Sequence, residues 1–182
     1  MIPKKILICC LTVGFFWSCM DKKCQAELSA LTAELDQQEK KADKEQRTRQ
    51  FVLAYIEAVN SPNWKNEMEK FMKVGPETEK FLEEHTEFRK SFPNFRSSIK
   101  HIAVNGDECI LWLEETANFA APFSIDNGAY GDKVLNGVEA RGQSLAWNEV
   151  WYFNVVDGKF GSKWDFLKDN YTVLKKLGAI EK

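Results

Sequence analysis

The chain has 182 residues, 44% of them hydrophobic and 29% charged, which excludes a wholly disordered or low-complexity polymer and leaves room for one ordinary domain plus an extension. Its formal net charge is −2, and without residues 1–18, which carry Lys4 and Lys5 and no acid, 23 basic side chains face 27 acidic ones. That balance argues against a protein that grips a nucleic-acid backbone, and no nucleic-acid partner is expected.

The first 18 residues place Lys4 and Lys5 ahead of an uncharged run from Ile6 to Trp17, followed by Ser18-Cys19. Two charges, a short apolar stretch and a small residue before a cysteine make an export signal too short to span a bilayer with ease. The FFWSC ending resembles a bacterial lipobox. Cleavage before Cys19 and lipid on Cys19 are therefore expected, giving a protein anchored to a membrane of the cell envelope on a periplasmic or surface face. An ordinary export signal and an uncut anchor are the alternatives. Of five cysteines, Cys24 and Cys109 lie beyond this region, and no Cys/His cluster has zinc spacing, so neither metal nor cofactor is expected.

Residues 21–49 are rich in Ala, Glu, Gln and Lys without Gly or Pro, which favours helix. Leu28, Leu31 and Leu35 mark a stripe of coiled-coil spacing that fades at Gln38, Ala42 and Glu45. A solvated helical spacer with weak self-association follows. The expected organisation is a signal peptide over 1–18, a lipidated helical tether over 19–46 and a folded domain over 47–182.

Within that domain, Phe51, Val52, Tyr55, Ile56 and Val59 share one face of a helix ending at Asn60-Ser61-Pro62. A second short helix is predicted over 63–73 and a third over 77–92, stopped by Pro93. His85 lies on the third helix's apolar stripe and reads as a core histidine. The period then changes to two. Strands are predicted over 95–104 and 108–119 around the Asn105-Gly106-Asp107 turn, then from 144 to the Asp157-Gly158 turn and back, with a closing helix after Asp169. The strand over 108–119 is apolar on both faces at first, so it should be central. The glycine-containing stretch between 120 and 143 fits no phosphate loop and reads as a structural or lid loop. The fold class is α+β: helices against one face of a bent antiparallel sheet, preceded by the tether.

SFPNFRSSIKHIAVNGDECILWLEE resembles the segment of SnoaL-like polyketide cyclases that runs Phe-Pro-Asp, strand, Gly-Asp, strand, with Asn94 in the aspartate's place. VVDGKFGSKWDFLKDNYTVLKKLG is similar to that family's closing hairpin, through Asp157-Gly158-Lys159, Trp164, Asp165, Asp169 and Leu177-Gly178. The resemblance implies a cone-shaped curved sheet of the nuclear transport factor 2-like superfamily, closed by helices around a pocket. It also implies that the family's aspartate base is replaced by Phe166 and an inward histidine by Trp151, which leaves the family's cyclase arrangement unsupported.

Strand parity puts Leu145, Trp147, Glu149, Trp151, Phe153 and Val155 on one face. With the resemblance placing that face inward, Trp147, Trp151, Trp164, Phe166 and Trp112 are the expected pocket lining. Glu149, a carboxylate among aromatics, must meet solvent, find a donor or have its pKa raised. Pairing with His101 or Arg141 would make it structural. Two functions follow: a membrane-tethered module binding a small apolar ligand or a protein partner, or a proton-transfer enzyme (isomerase, cyclase or dehydratase) with Glu149 as base and His101 or Tyr152 as donor. A homodimer through the outer face, carrying Ala146, Asn148, Val150, Tyr152 and Asn154, is a third arrangement.

Overall fold

The computed structural model describes residues 22–122 and 139–177, so the export segment, Cys19 and most of the expected lid loop lie outside the described residues. The chain divides into two compact units, 1–40 and 41–182. Helix α1 (Lys22–Asn60) runs unbroken through the boundary, so the two helices expected over 21–49 and 47–60 are one, as the lack of Gly and Pro allows. In the first unit its side chains from Cys24 to Lys40 are exposed, Leu28, Leu31 and Leu35 among them. No helix among the described residues is long and apolar enough to cross a membrane.

In the second unit the character of α1 reverses. Thr48, Val52, Tyr55, Ile56 and Val59 are buried at helical spacing. The helix stops before Pro62, which disfavours helical backbone at Ser61. Asn60 then ties the helix end to the sheet, its amide donating to Ser97 O at 2.7 Å and accepting from Ser97 N at 2.9 Å. Helix α2 (Trp64–Glu69) buries Met68, and α3 (Pro76–Ser91) opens on a proline at its first turn, where no N–H is needed. It buries Leu82, His85 and Phe88.

Strands β1 (Arg96–Asn105), β2 (Glu108–Phe119), β3 (Gln143–Val156) and β4 (Lys159–Lys168) form one open antiparallel sheet in the order β1-β2-β3-β4. Gly106 (φ +65°) makes the first turn; Asp157 (φ 51°) and Gly158 (φ +70°) make the last, in the left-handed region that Asp and Gly tolerate best. On β2 the even positions Ile110 and Trp112 face outward while Cys109, Leu111, Leu113, Glu115, Ala117 and Phe119 are buried beneath the helices. Each large apolar side chain so buried contributes about 1.5–3 kcal/mol. Helix α4 (Asn170–Leu177) begins where Asp169 Oδ1 accepts Thr172 N at 3.1 Å and so caps it, at the point where the sequence places the closing helix.

One irregularity shapes the site. Phe153 pairs with Trp164 but Val155 pairs with Phe160, so residues 161–163 of β4 stand opposite Asn154 alone. Asn154 Oδ1 accepts Lys163 N at 3.0 Å, and its amide lies 2.1 Å from where a Cβ on Gly161 would sit. Glycine is thus required at 161 for the asparagine to hold the bulge. The bulge bends β4 next to Trp164.

Candidate functional site

Residue pairing across the sheet brings together groups far apart in sequence. Ser97 stands opposite Glu115, Glu115 opposite Trp147, Leu113 opposite Glu149, Glu149 opposite Lys168 and Trp151 opposite Phe166. Two carboxylates, Glu115 (3% exposed) and Glu149 (5% exposed), are thereby buried on the inner face.

Glu149 is supplied with donors from both sides. Trp147 Nε1 donates to its Oε1 at 2.9 Å, Trp151 Nε1 donates to its Oε2 at 2.8 Å, and Lys168 Nζ lies 3.5 Å from Oε1. The lysine also sits 4.9 Å from the Trp147 ring centroid and 5.9 Å from that of Phe88. Glu115 is its counterpart: burial first, then the negative charge of Glu149, hold its carboxyl well above the usual carboxylate range, against the opposing pull of Lys168. In its neutral form it donates a hydrogen bond to Glu149. Ser97 Oγ lies close enough to favour the charged form of Glu115, yet it is buried without a hydrogen bond of ordinary geometry. Like charges this close are tolerated because one of them keeps its proton.

Next to Glu149 is a cavity of about 320 Å³ lined by Tyr55, Phe81, Trp151, Phe160, Trp164 and Phe166, with Met72, Lys73, Glu77, Thr78 and Gly161 completing it. A volume of this size suits a small organic molecule. Trp151, Trp164, Phe166 and Glu149 therefore stand where strand parity put them. Trp147 does not reach the cavity: Phe92 and Phe95 pack against it at ring distances of 6.4 and 6.1 Å. Trp112 is a correction. It lies on the opposite face, 47% exposed, with its indole N–H donating to Asn148 Oδ1 at 3.0 Å. An even position of β2 must point away from Leu111 and Leu113.

His101 is likewise exposed beside Trp112 and cannot serve Glu149 as proton donor or pairing partner. Its turn outward follows the register shift between Ile99 and His101. Tyr152 shares the outer face. Arg141 binds Glu139 at 2.5 Å instead of Glu149. His85 is a core histidine, accepting Arg89 Nε at 3.1 Å on its Nε2; burial, and secondarily the Arg89 charge, push its pKa down to about 3. Cys109 is a buried free thiol, pushed up to about 11 chiefly by burial, whereas Cys24 is exposed. Among the described residues no three His, Cys, Asp or Glu side chains are grouped to hold a metal.

Sequence reasoning missed Glu115, Lys168 and Tyr55 as site residues. The signal for Glu115 was present, since it continues the odd-numbered face of β2 after Leu111 and Leu113. Lys168 could have been found by extending the Trp164–Phe166 face by two.

No protein-family sequence model and no curated protein matches the chain. In three dimensions it is similar to a protein of Jannaschia sp. CCS1 provisionally named a SnoaL-like polyketide cyclase, with 18% identity and a TM-score of 0.59 over 75% of this chain and 95% of that one. It is also similar to a SnoaL-like polyketide cyclase of Agrobacterium tumefaciens C58, at 14% identity and a TM-score of 0.54, over 72% of this chain and 98% of that one. A third similar structure is AclR of Streptomyces galilaeus, provisionally named a hydroxylase, at 20% identity and a TM-score of 0.56, over 76% and 89% of the two chains. At these identities the likeness is one of fold. The four-stranded antiparallel sheet with helices over its inner face is the fold of these SnoaL-like polyketide cyclase structures, and this chain carries a domain of that fold.

Proposed function

We propose that the protein is a lipid-anchored binding domain that holds a small, flat, largely apolar molecule. The observation that carries this reading is the aromatic cavity of about 320 Å³ beside a carboxylate whose oxygens are already engaged by two indole N–H groups and a lysine. A general base needs a lone pair free to meet the substrate's proton. Here the donors occupy Glu149 as a polar anchor beside the aromatic rings, which favours binding over proton abstraction. Anchoring rests on the Lys4-Lys5, Ile6–Trp17 and Ser18-Cys19 pattern. Each acyl chain on Cys19 would add about 0.8 kcal/mol per buried CH₂, so two or three chains suffice to hold the domain at a membrane.

Binding is tested with N-phenyl-1-naphthylamine, whose fluorescence rises in apolar surroundings. The expected result is saturable binding to the native chain and loss of it in Met72→Trp, which fills the cavity; equal binding by both would remove the reading. For the anchor, Cys19→Ser is expected to move the protein from the membrane fraction to the soluble one. A protein that stays in the membrane fraction with no lipid on its N-terminus would defeat the lipoprotein part.

The proton-transfer reading keeps one observation in its favour: Glu115 holds a proton against Glu149, an acid beside an acceptor. Glu149→Gln separates the two. Retained probe affinity with no turnover in either protein supports binding, and a large fall in turnover at unchanged affinity supports catalysis.

A further inference from the structure

The folded domain has a second hollow, a cleft of about 440 Å³ where α1 meets the two hairpin turns, and it shares no lining residue with the aromatic cavity. Backbone and side-chain hydrogen bonds join its walls. Thr48 Oγ1 donates to Gly106 O at 2.9 Å, Gly106 N donates to Glu45 Oε1 at 3.3 Å, and Val155 N donates to Asp107 O at 2.8 Å. The helix, the first turn and the end of β3 are thereby tied to one another around the cleft.

Four charged residues line this cleft, two of each sign. Lys44 and Arg47 come from one turn of α1, Asp107 from the first hairpin turn and Asp157 from the second. Opposite charges that can reach each other on this surface do pair, as Lys41 does with Glu45 and Lys163 with Glu108. Among the described residues, none of the four cleft residues makes an ion pair or a side-chain hydrogen bond. Glu45, the nearest other acid on α1, is engaged by Gly106 N and Lys41.

That balance selects a ligand by its charges. The carboxylates repel a bare anion and the two cations repel a bare cation, so neither kind of simple ion is favoured. A molecule with one charge of each sign satisfies both sets through charge-assisted hydrogen bonds. Phe51, Val155 and Val156 line the same cleft and offer apolar surface between the charges.

We propose that this cleft binds a small zwitterion with an apolar side chain, such as a free aliphatic amino acid. Lys44 and Arg47 receive its carboxylate, Asp107 and Asp157 its ammonium, and the phenylalanine and two valines its side chain. The site is separate from the aromatic cavity and does not depend on the function given to that cavity.

The test compares L-leucine with leucinamide, which lacks the carboxylate, and N-acetyl-leucine, which lacks the ammonium, by calorimetry on the full chain. The native chain is expected to favour leucine over each by about tenfold, the worth of one hydrogen bond between charged groups. Lys44→Gln with Arg47→Gln should abolish the preference over leucinamide alone. Asp107→Asn with Asp157→Asn should abolish the preference over N-acetyl-leucine alone, and asparagine tolerates the left-handed backbone at 157 (φ 51°). No binding of leucine by the native chain, or both preferences intact in both double variants, would overturn the proposal.

Amide resonances of the native chain decide independently of any variant. Leucine should shift Gly158, which lines the cleft, and leave Gly161, which lines the aromatic cavity, in place. A shift at Gly161 without one at Gly158 would put the zwitterion in the other hollow and reject the assignment.

Discussion

The inner face of the sheet has a filled end and a hollow end, and Glu149 stands between them. On the Trp147 side, Phe92 and Phe95 pack on the indole at ring distances of 6.4 and 6.1 Å, and Phe88 and Phe119 lie against these two rings at 4.6 to 5.3 Å. On the Trp151 side the same kinds of ring stand apart around a cavity of about 320 Å³. Two tryptophans two residues apart, each donating to the same carboxylate, thus play different parts. The difference comes from what lies opposite. Residues near the end of α3 and the start of β1 supply phenylalanines at the filled end, whereas the bulge at Asn154 and Gly161 bends β4 beside the hollow one. An aromatic-rich face does not by itself make a pocket; the backbone irregularity beside it decides.

The sharpest way to break that contrast is to remove its centre. Glu149→Leu would strand Lys168 and two indole donors in a buried site, and a loss of about 3–5 kcal/mol is expected in urea unfolding. Truncation at the two ends should then differ. Phe92→Ala is expected to cost about 3–5 kcal/mol, as for a packed core ring, whereas Phe81→Ala, half-buried at the cavity, should cost about 1–2 kcal/mol and weaken probe binding. Equal losses by chemical denaturation would mean that the hollow end is packed as tightly as the filled one.

Acid titration sharpens the same comparison. The folded state holds a proton on Glu115 that the unfolded chain releases near pH 4.3, so this group's support is complete below that pH and is lost as pH rises toward its raised folded value. Glu115→Gln should therefore raise Tm at pH 7 and bring no advantage at pH 4. His85 acts with the opposite sign: neutral when folded, it withdraws support as pH falls from about 6.5 toward its folded pKa of about 3. His85→Gln should flatten that limb of a Tm–pH curve while leaving the effect of Glu115 in place.

The smallest effect is expected on the other side of the sheet. Ile110, Trp112, Val150 and Leu167 make an exposed ladder, with Leu167 74% exposed. Trp112→Ser should change monomer stability by less than about 0.5 kcal/mol and leave probe binding unaltered. A change in elution volume on size exclusion would show that a second copy covers this face, the homodimer considered from the sequence.

Much of the fold was legible because alternation and turn chemistry are local. The strand over 108–119, the two-residue turns at Gly106 and Asp157-Gly158 and the Asp169 cap all follow from neighbouring residues. The inward face of β3, with Glu149 among tryptophans, was legible for the same reason. The partners of Glu149 were not. They depend on register between strands and on which lysine from β4 arrives opposite, which no single segment encodes. His101 was misread because one extra residue before it shifts the register. Tyr55 reads from sequence as one more apolar position on α1, since nothing in the helix shows that it will line a cavity.

The order of the sheet is also the order of the chain. Among the described residues each strand pairs with the one just made, and no described strand has to be inserted between two already in place. Two of the three pairings close through two-residue turns; only β2 and β3 must wait for the 120–142 connection, which costs about 2 kcal/mol more in closure entropy than such a turn. The domain can therefore assemble from two ready-made ribbons, and the slow step of its refolding should be their docking, along the seam where Glu115 meets Trp147.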